Sequence, residues 1–185
     1  MYSIWGELLH QYSVGRDAEG GIIECKIWGT GAVCLTGDNQ FIAISNLNDP
    51  TLLKSRRLAF SGLTDPPHSW VVIDSDHSQS QSPEVLAAID NGSVLNISYN
   101  STKDLGISQG PFTKMAVSPN GKLLACFTRD GILWVVSSDF SKNLSQFDTQ
   151  SKVDPDQMVW CGADSVVLYW DSILLMIGPY AEYFK

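Results

Sequence analysis

The sequence is short of positive charge. Twelve basic residues stand against twenty acidic ones, a formal charge of −8 over 185 residues. That balance argues against gripping a nucleic-acid phosphate backbone and against a broad polybasic membrane patch. No run of eighteen apolar residues occurs, so no transmembrane helix is expected. The opening Met1-Tyr-Ser-Ile-Trp-Gly-Glu7 has neither the basic segment nor the continuous apolar stretch of a secretion signal. Cysteine is scarce, and no Cys-x-x-Cys pair exists. Cys25, Cys34, Cys126 and Cys161 each lie in an apolar run, so buried free thiols in a reducing compartment are expected. The sequons at Asn91, Asn96, Asn100 and Asn143 then read as chance products of Asn- and Ser-rich turns.

Motifs that carry chemistry are also missing. There is no Walker loop and no Gly-x-Gly-x-x-Gly after a strand. Gly106-Ile-Ser108-Gln-Gly110 matches the nucleophile-elbow pattern, but it joins two expected strands and no helix follows, so it reads as a linker. Asp74, Asp76 and His77 lack the glycine that an EF-hand loop needs at its sixth position. His10, His68 and His77 show no metal-ligand spacing. No nucleophile, base and orienter are brought together. The expectation is therefore no catalytic residues, no cofactor, no metal, and a binding role.

Helical periodicity is nearly absent as well. What is present is a series of short runs rich in Val, Ile, Leu, Trp and Tyr, cut by Gly, Asp, Asn and Pro. That is a strand pattern with tight turns. The strands group into sets: 22–28, 32–36 and 40–45; 70–73, 84–89 and 93–98; 112–117, 122–128 and 132–136; 157–161, 165–170 and 173–177. Corresponding turns at Asp38, Gly92, Gly131 and Ser172 are spaced by 54, 39 and 41 residues. The first spacing contains a Ser- and Asp-rich insertion at 74–82, read as a solvated loop. A period of roughly 40–45 residues with four strands per unit marks β-propeller blades. Polar segments at 56–61, 102–107 and 143–148 are expected as outer strands.

The expected fold is all-β, a partial β-propeller of WD-repeat-like blades of four antiparallel strands. It holds about three and a half blades in one domain. Residues 1–13 read as the tail strand of a preceding blade. Blades follow at 22–61, at 70–107 with the inserted loop 74–82, and at 112–148, with an incomplete blade at 157–177. Runs such as Ser165–Trp170 are expected to be buried on both faces between neighbouring blades. Trp28, Trp134, Trp160 and Trp170 are expected to fill the wedges between blades and be largely buried. A ring needs about four to eight blades. A piece of a larger chain is therefore expected, with closure as a four-bladed ring the alternative. Uncovered blade faces predict poor solubility.

Three segments carry a resemblance. QMVWCGADSVVLYWDSILLMIGP at 157–179 resembles part of the N-terminal propeller of the vacuolar protein sorting-associated protein 16 family, in details that suggest a plant version. IECKIWGTGAVCLTGDNQFIAI at 23–44 and KMAVSPNGKLLACFTRDGILWVV at 114–136 look like earlier stretches of the same propeller in the same order, and Gly-Glu-Leu-Leu at 6–9 fits before them. The resemblance implies a non-enzymatic subunit of the HOPS and CORVET complexes. These tether late endosomes, vacuoles or lysosomes from the cytosolic side before SNARE-mediated fusion. Implied partners are the other HOPS and CORVET subunits and, indirectly, the SNARE machinery. The solenoid that contacts the Sec1/Munc18 subunit in that family lies outside this sequence. The acidic balance favours basic partner surfaces, and Asp74, Asp76, Asp154 and Asp156 are the candidate contacts. The alternative is a generic propeller scaffold outside vesicle traffic. A propeller enzyme is the least favoured reading, because the expected inner strands carry almost no carboxylate or histidine.

Overall fold

The structure is a computed structural model that describes residues 6, 8, 11, 20–49, 51–78, 80–178 and 183–184. The tail strand expected at 1–13, with His10, falls almost wholly outside them. Four antiparallel sheets follow one another along the chain, each in simple up-and-down order. The first contains β1 (Ile22–Trp28), β2 (Gly31–Thr36), β3 (Phe41–Ser45) and β4 (Lys54–Arg57). The second contains β5 (Ser69–Ile73), β6 (Glu84–Ala88), β7 (Val94–Ile97) and β8 (Thr102–Asp104). The third contains β9 (Phe112–Val117), β10 (Leu123–Thr128), β11 (Ile132–Ser137) and β12 (Asn143–Asp148). The fourth contains β13 (Gln157–Cys161), β14 (Ser165–Trp170), β15 (Ile173–Ile177) and β16 (Tyr183–Phe184). The sequence pattern did not include β16, whose two residues pair with Met176 and Ile177. The short outer strands β4 and β8 end earlier than expected. After β4 the backbone crosses over, and the Ala59 amide donates to the Ser98 carbonyl of the second sheet.

The strands β1, β5, β9 and β13 lie innermost, each beside the next. This is the blade arrangement of a propeller. Side chains alternate across each strand, so a middle sheet feeds two cores at once. Val85 and Ala87 of β6 join Val33, Phe41 and Trp70 between the first and second sheets. Leu86 and Ala88 of the same strand join Met115, Leu124 and Cys126 between the second and third. Likewise Ala125 and Phe127 of β10 meet Val166, Leu168 and Leu175 of the fourth sheet. Two-sided burial explains why β6 reads as an unbroken apolar run and is buried throughout.

Three expectations need correction. Trp28, Trp134, Trp160 and Trp170 are only half-buried, and among the described residues the fully enclosed tryptophan is Trp70. The Trp160 and Trp170 indoles lie against the edge of the third core and turn their N–H groups to the carbonyls of Ala116 and Val153, each at 2.9 Å. Trp70 packs edge-on against Phe41 with ring centroids 5.2 Å apart. Cys25 and Cys161 are exposed, while Cys34 and Cys126 are buried. Cys25 sits on β1 opposite Cys34, on the side of the first sheet turned away from the second. Cys161 ends β13, on the side of the fourth sheet turned away from the third. Finally, β14 is buried on one face only, and among the described residues the third sheet is what packs on that face.

Candidate partner-binding surface

The four acids singled out by sequence do not form one patch. The inner strands all start at one end of the array and finish at the other. Asp74 follows β5, and it lines a cleft at the finishing end with Trp28, His77 and the Val117–Gly121 turn. Its carboxylate accepts the Ser75 hydroxyl at 2.9 Å and the Asp76 amide at 3.2 Å. Its carbonyl accepts the amides of His77 and Ser78, both at 2.9 Å. Asp74 therefore shapes the inserted turn. Asp76 is exposed beside it. Asp154 and Asp156 precede β13 and belong to the opposite, starting end. The Asp156 carboxylate accepts the Asp171 amide at 2.9 Å, bracing the β14–β15 turn. Asp154 accepts the Thr113 hydroxyl at 2.7 Å and borders a different cleft.

That cleft, about 550 Å³, is lined by His68, Thr113, Lys114, Arg129, Lys152, Val153 and Asp154. It draws on the starts of β5, β9 and β13, so it spans the second to fourth sheets. Lys114 projects from β9, Arg129 from the β10–β11 turn, and Lys152 from the loop after β12. Gly131 brings the last two together. Its φ of 85° closes the turn, and a Cβ there would collide with the Ser151 carbonyl. The Gly131 carbonyl also accepts the Thr149 amide at 3.0 Å and hydroxyl at 2.7 Å. The Arg129 amide donates to Pro111 across the sheet at 3.2 Å.

Among the described residues, none of Lys114, Arg129 and Lys152 is in a salt bridge. His68 is engaged with Asp90 at 2.5 Å. Lys26 lies near Lys114 but is neutralised by Glu24. Lys26 of β1 donates to the Trp70 carbonyl at 2.5 Å and sits 4.7 Å over the Trp70 ring. Burial pushes its pKa down, Glu24 at 3.5 Å opposes that, and the nearby Lys114 charge adds a smaller downward push. A concave site with unpaired cations on a chain of charge −8 is a local reversal of sign. It suits an anionic partner group. Sequence reasoning missed it because its three cations are isolated in the chain and carry no motif. Among the described residues, no three His, Cys, Asp or Glu side chains gather to hold a metal, and no helix is long and apolar enough to cross a membrane.

Comparison with known proteins gives a consistent picture. Among solved structures, Kluyveromyces lactis Hsv2p superposes with a TM-score of 0.61 at 11% identity, over 87% of this chain and 50% of that one. The β-propeller domain of Cps50 (Swd1) from Myceliophteria thermophila gives 0.56 at 12% identity, over 85% of this chain and 56% of that one. At such identities these likenesses speak to the fold alone, and they agree on a propeller. In sequence, the vacuolar protein sorting-associated protein 16 homolog of Dictyostelium discoideum is 34% identical over 180 residues, covering 94% of this chain and 21% of its own length. Protein VACUOLELESS1 of Arabidopsis thaliana is 34% identical, covering 98% of this chain and 23% of its own. The chain thus spans between a fifth and a quarter of the length of these curated relatives. The family model described as "Vps16, N-terminal region" matches residues 1–185, and this chain belongs to that family.

Proposed function

We propose that this chain is the propeller part of a subunit of the HOPS and CORVET tethering complexes, acting in vesicle docking and in protein transport to the vacuole or lysosome. The observation that carries the reading is the match of the whole chain to the Vps16 N-terminal region, with relatives named for vacuolar protein sorting. The part it plays is surface recognition, without catalysis, on the cytosolic face of late endosomal and vacuolar membranes. Rigid sheets hold turns and clefts in place for neighbouring subunits. SNARE proteins are reached through those subunits. A generic scaffold outside vesicle traffic is not favoured, since nothing in the family match points there.

The cleft of Lys114, Arg129 and Lys152 is the contact surface of choice, and its occupant is a partner segment rich in Asp and Glu. Charge complementarity is the argument, because the cations are unpaired and set apart on three loops and strands. Asp154 on its rim and Asp76 at the far end are the acids left to meet basic partner groups. Asp74 and Asp156 serve their own turns first.

The test is affinity isolation of the tagged full-length protein from cells. Recovery of the other tethering subunits is expected. Recovery of spliceosomal or ubiquitin-ligase assemblies without tethering subunits would overturn the reading. A full-length variant with Lys114→Glu, Arg129→Glu and Lys152→Glu should lose about tenfold or more of at least one subunit. Unchanged recovery of every subunit would remove the cleft from the proposal and leave the complex membership standing.

A further inference from the structure

The two cysteines of the first hairpin face each other. Cys25 of β1 and Cys34 of β2 are direct cross-strand partners. Their sulfurs lie 2.8 Å apart, inside ordinary non-bonded contact. Directly opposed residues of an antiparallel pair have Cα atoms about 4.5–5.5 Å apart, within the span of about 4.4–6.8 Å that a disulfide bridges. Cys25 is exposed and reachable by a soluble reagent, while Cys34 is buried behind it. The other two thiols have no such neighbour. Cys126 is enclosed in the second core and Cys161 stands exposed at the end of β13.

We infer that Cys25 and Cys34 form an oxidation site, a reversible cross-strand disulfide made by exchange with a small disulfide such as glutathione disulfide. The exposed Cys25 thiolate attacks one sulfur of glutathione disulfide and expels a glutathione thiolate. This leaves a mixed disulfide on Cys25. Cys34 then loses its proton, and its sulfur attacks the Cys25 sulfur and expels the second glutathione thiolate. The protons from Cys25 and Cys34 end on the two released glutathiones. The protein pair is oxidised by two electrons and glutathione disulfide is reduced. Burial, with help from the neighbouring Cys25, pushes the Cys34 pKa up to about 12, so the exposed Cys25 is the thiol that meets the reagent first. The mixed disulfide on Cys25 is therefore the intermediate to look for. Among the described residues β1 pairs with β2 alone, so the bond staples an edge strand to its sheet.

The experiment uses the full-length protein, incubated with mixtures of reduced and oxidised glutathione, quenched with an alkylating agent and digested with trypsin without reduction. Lys26 lies between the two cysteines, so Cys25 and Cys34 fall on separate peptides, 17–26 and 27–54. The expected product is a linked 17–26/27–54 pair that disappears on reduction. Cys161 should carry at most a mixed disulfide, and Cys126 should stay a thiol. Cys25→Ser, at an exposed position, should abolish the link without touching a core. Cys34→Ser should halt Cys25 at the mixed disulfide. The inference is overturned if wild-type Cys25 stops at the mixed disulfide with Cys34 free. It is equally overturned if Cys25 and Cys161 are modified alike with no linked pair.

Discussion

Leu174 and Leu175 are neighbours on β15, identical in chemistry and opposite in fate. Leu174 is 56% exposed and Leu175 is 3% exposed. Leu175 pairs with Leu168 and packs against Leu133 and Val135 of the third sheet. Leu174 pairs with Tyr169 on the other face, near the exposed Val159. The strand is apolar on both sides, but among the described residues only one side has a sheet against it. In the second sheet, by contrast, β6 has a neighbour on each face and every residue is buried. Apolar composition states what a strand can bury, and the neighbouring sheet decides what it does bury.

The largest expected effect tests that difference directly. Leu175→Ala should cost about 2–5 kcal/mol, as removal of a buried leucine from a packed core does. Leu174→Ala should stay within about 0.5 kcal/mol. Urea denaturation of the two variants decides it, and equal costs would mean that the far face is covered in solution. The tryptophans sharpen the same contrast. Trp70→Phe removes an indole donor to the Glu24 carboxylate at 2.6 Å and disturbs the edge-on pair with Phe41. A loss of about 1.5–3 kcal/mol is expected. Trp170→Phe loses one bond to a carbonyl at the rim and disturbs a looser edge-on pair with Phe127, centroids 6.1 Å apart, and should cost about 0.5–1.5 kcal/mol. A reversed order, read from the same denaturation curves, would break the distinction between junction and rim. For solubility, Leu174→Lys should lower concentration-dependent light scattering, since it interrupts the apolar face of Val159, Tyr169 and Leu174. Unchanged scattering would direct attention to Ile23 and Ile27 of β1, which are also exposed.

The strands were legible because their signals are local. β-branched runs and Asn-Gly or Asp-Gly turns mark most strands to within a residue or two, and the repeat of about forty residues gave the blades. Burial was less legible because it depends on what lies alongside. The four named tryptophans are only half-buried, Trp134 among them although it is paired on both sides in β11, while Trp70, in an equally plain Ser-Trp-Val-Val run, sits in the middle of a junction. Cys25 looked like Cys34 in sequence, and only the strand register shows that they face each other. The cleft was the least legible part. Lys114, Arg129 and Lys152 lie in three segments that only the turn at Gly131 and the order of the sheets bring together. Strand β16 is two residues long and gave no pattern to read.

The smallest expected effect lies in the turns, where local hydrogen bonds govern and no neighbouring sheet matters. Asp139 sits exposed in the β11–β12 turn. One carboxylate oxygen accepts the Ser137 hydroxyl at 2.6 Å, the Ser141 amide at 3.0 Å and the Ser141 hydroxyl at 2.8 Å. These bonds, the Ser137 hydroxyl first, favour the charged form and hold its pKa down at about 2, against an ordinary value of 3.8. A carboxylate depressed on folding adds stability that is fully present above pH 4. As pH falls, the unfolded chain takes up the proton first, and the contribution fades until pH passes about 2. Asp139→Asn keeps an oxygen acceptor and removes the charge. Wild type should exceed this variant in stability at pH 6 by a small margin that shrinks steadily towards pH 2. A margin constant over that range would mean that the turn is held by its acceptor geometry alone, with the charge playing no part. Either result leaves the Leu174 and Leu175 contrast untouched, because the turn answers to its own residues and the strand to its neighbours.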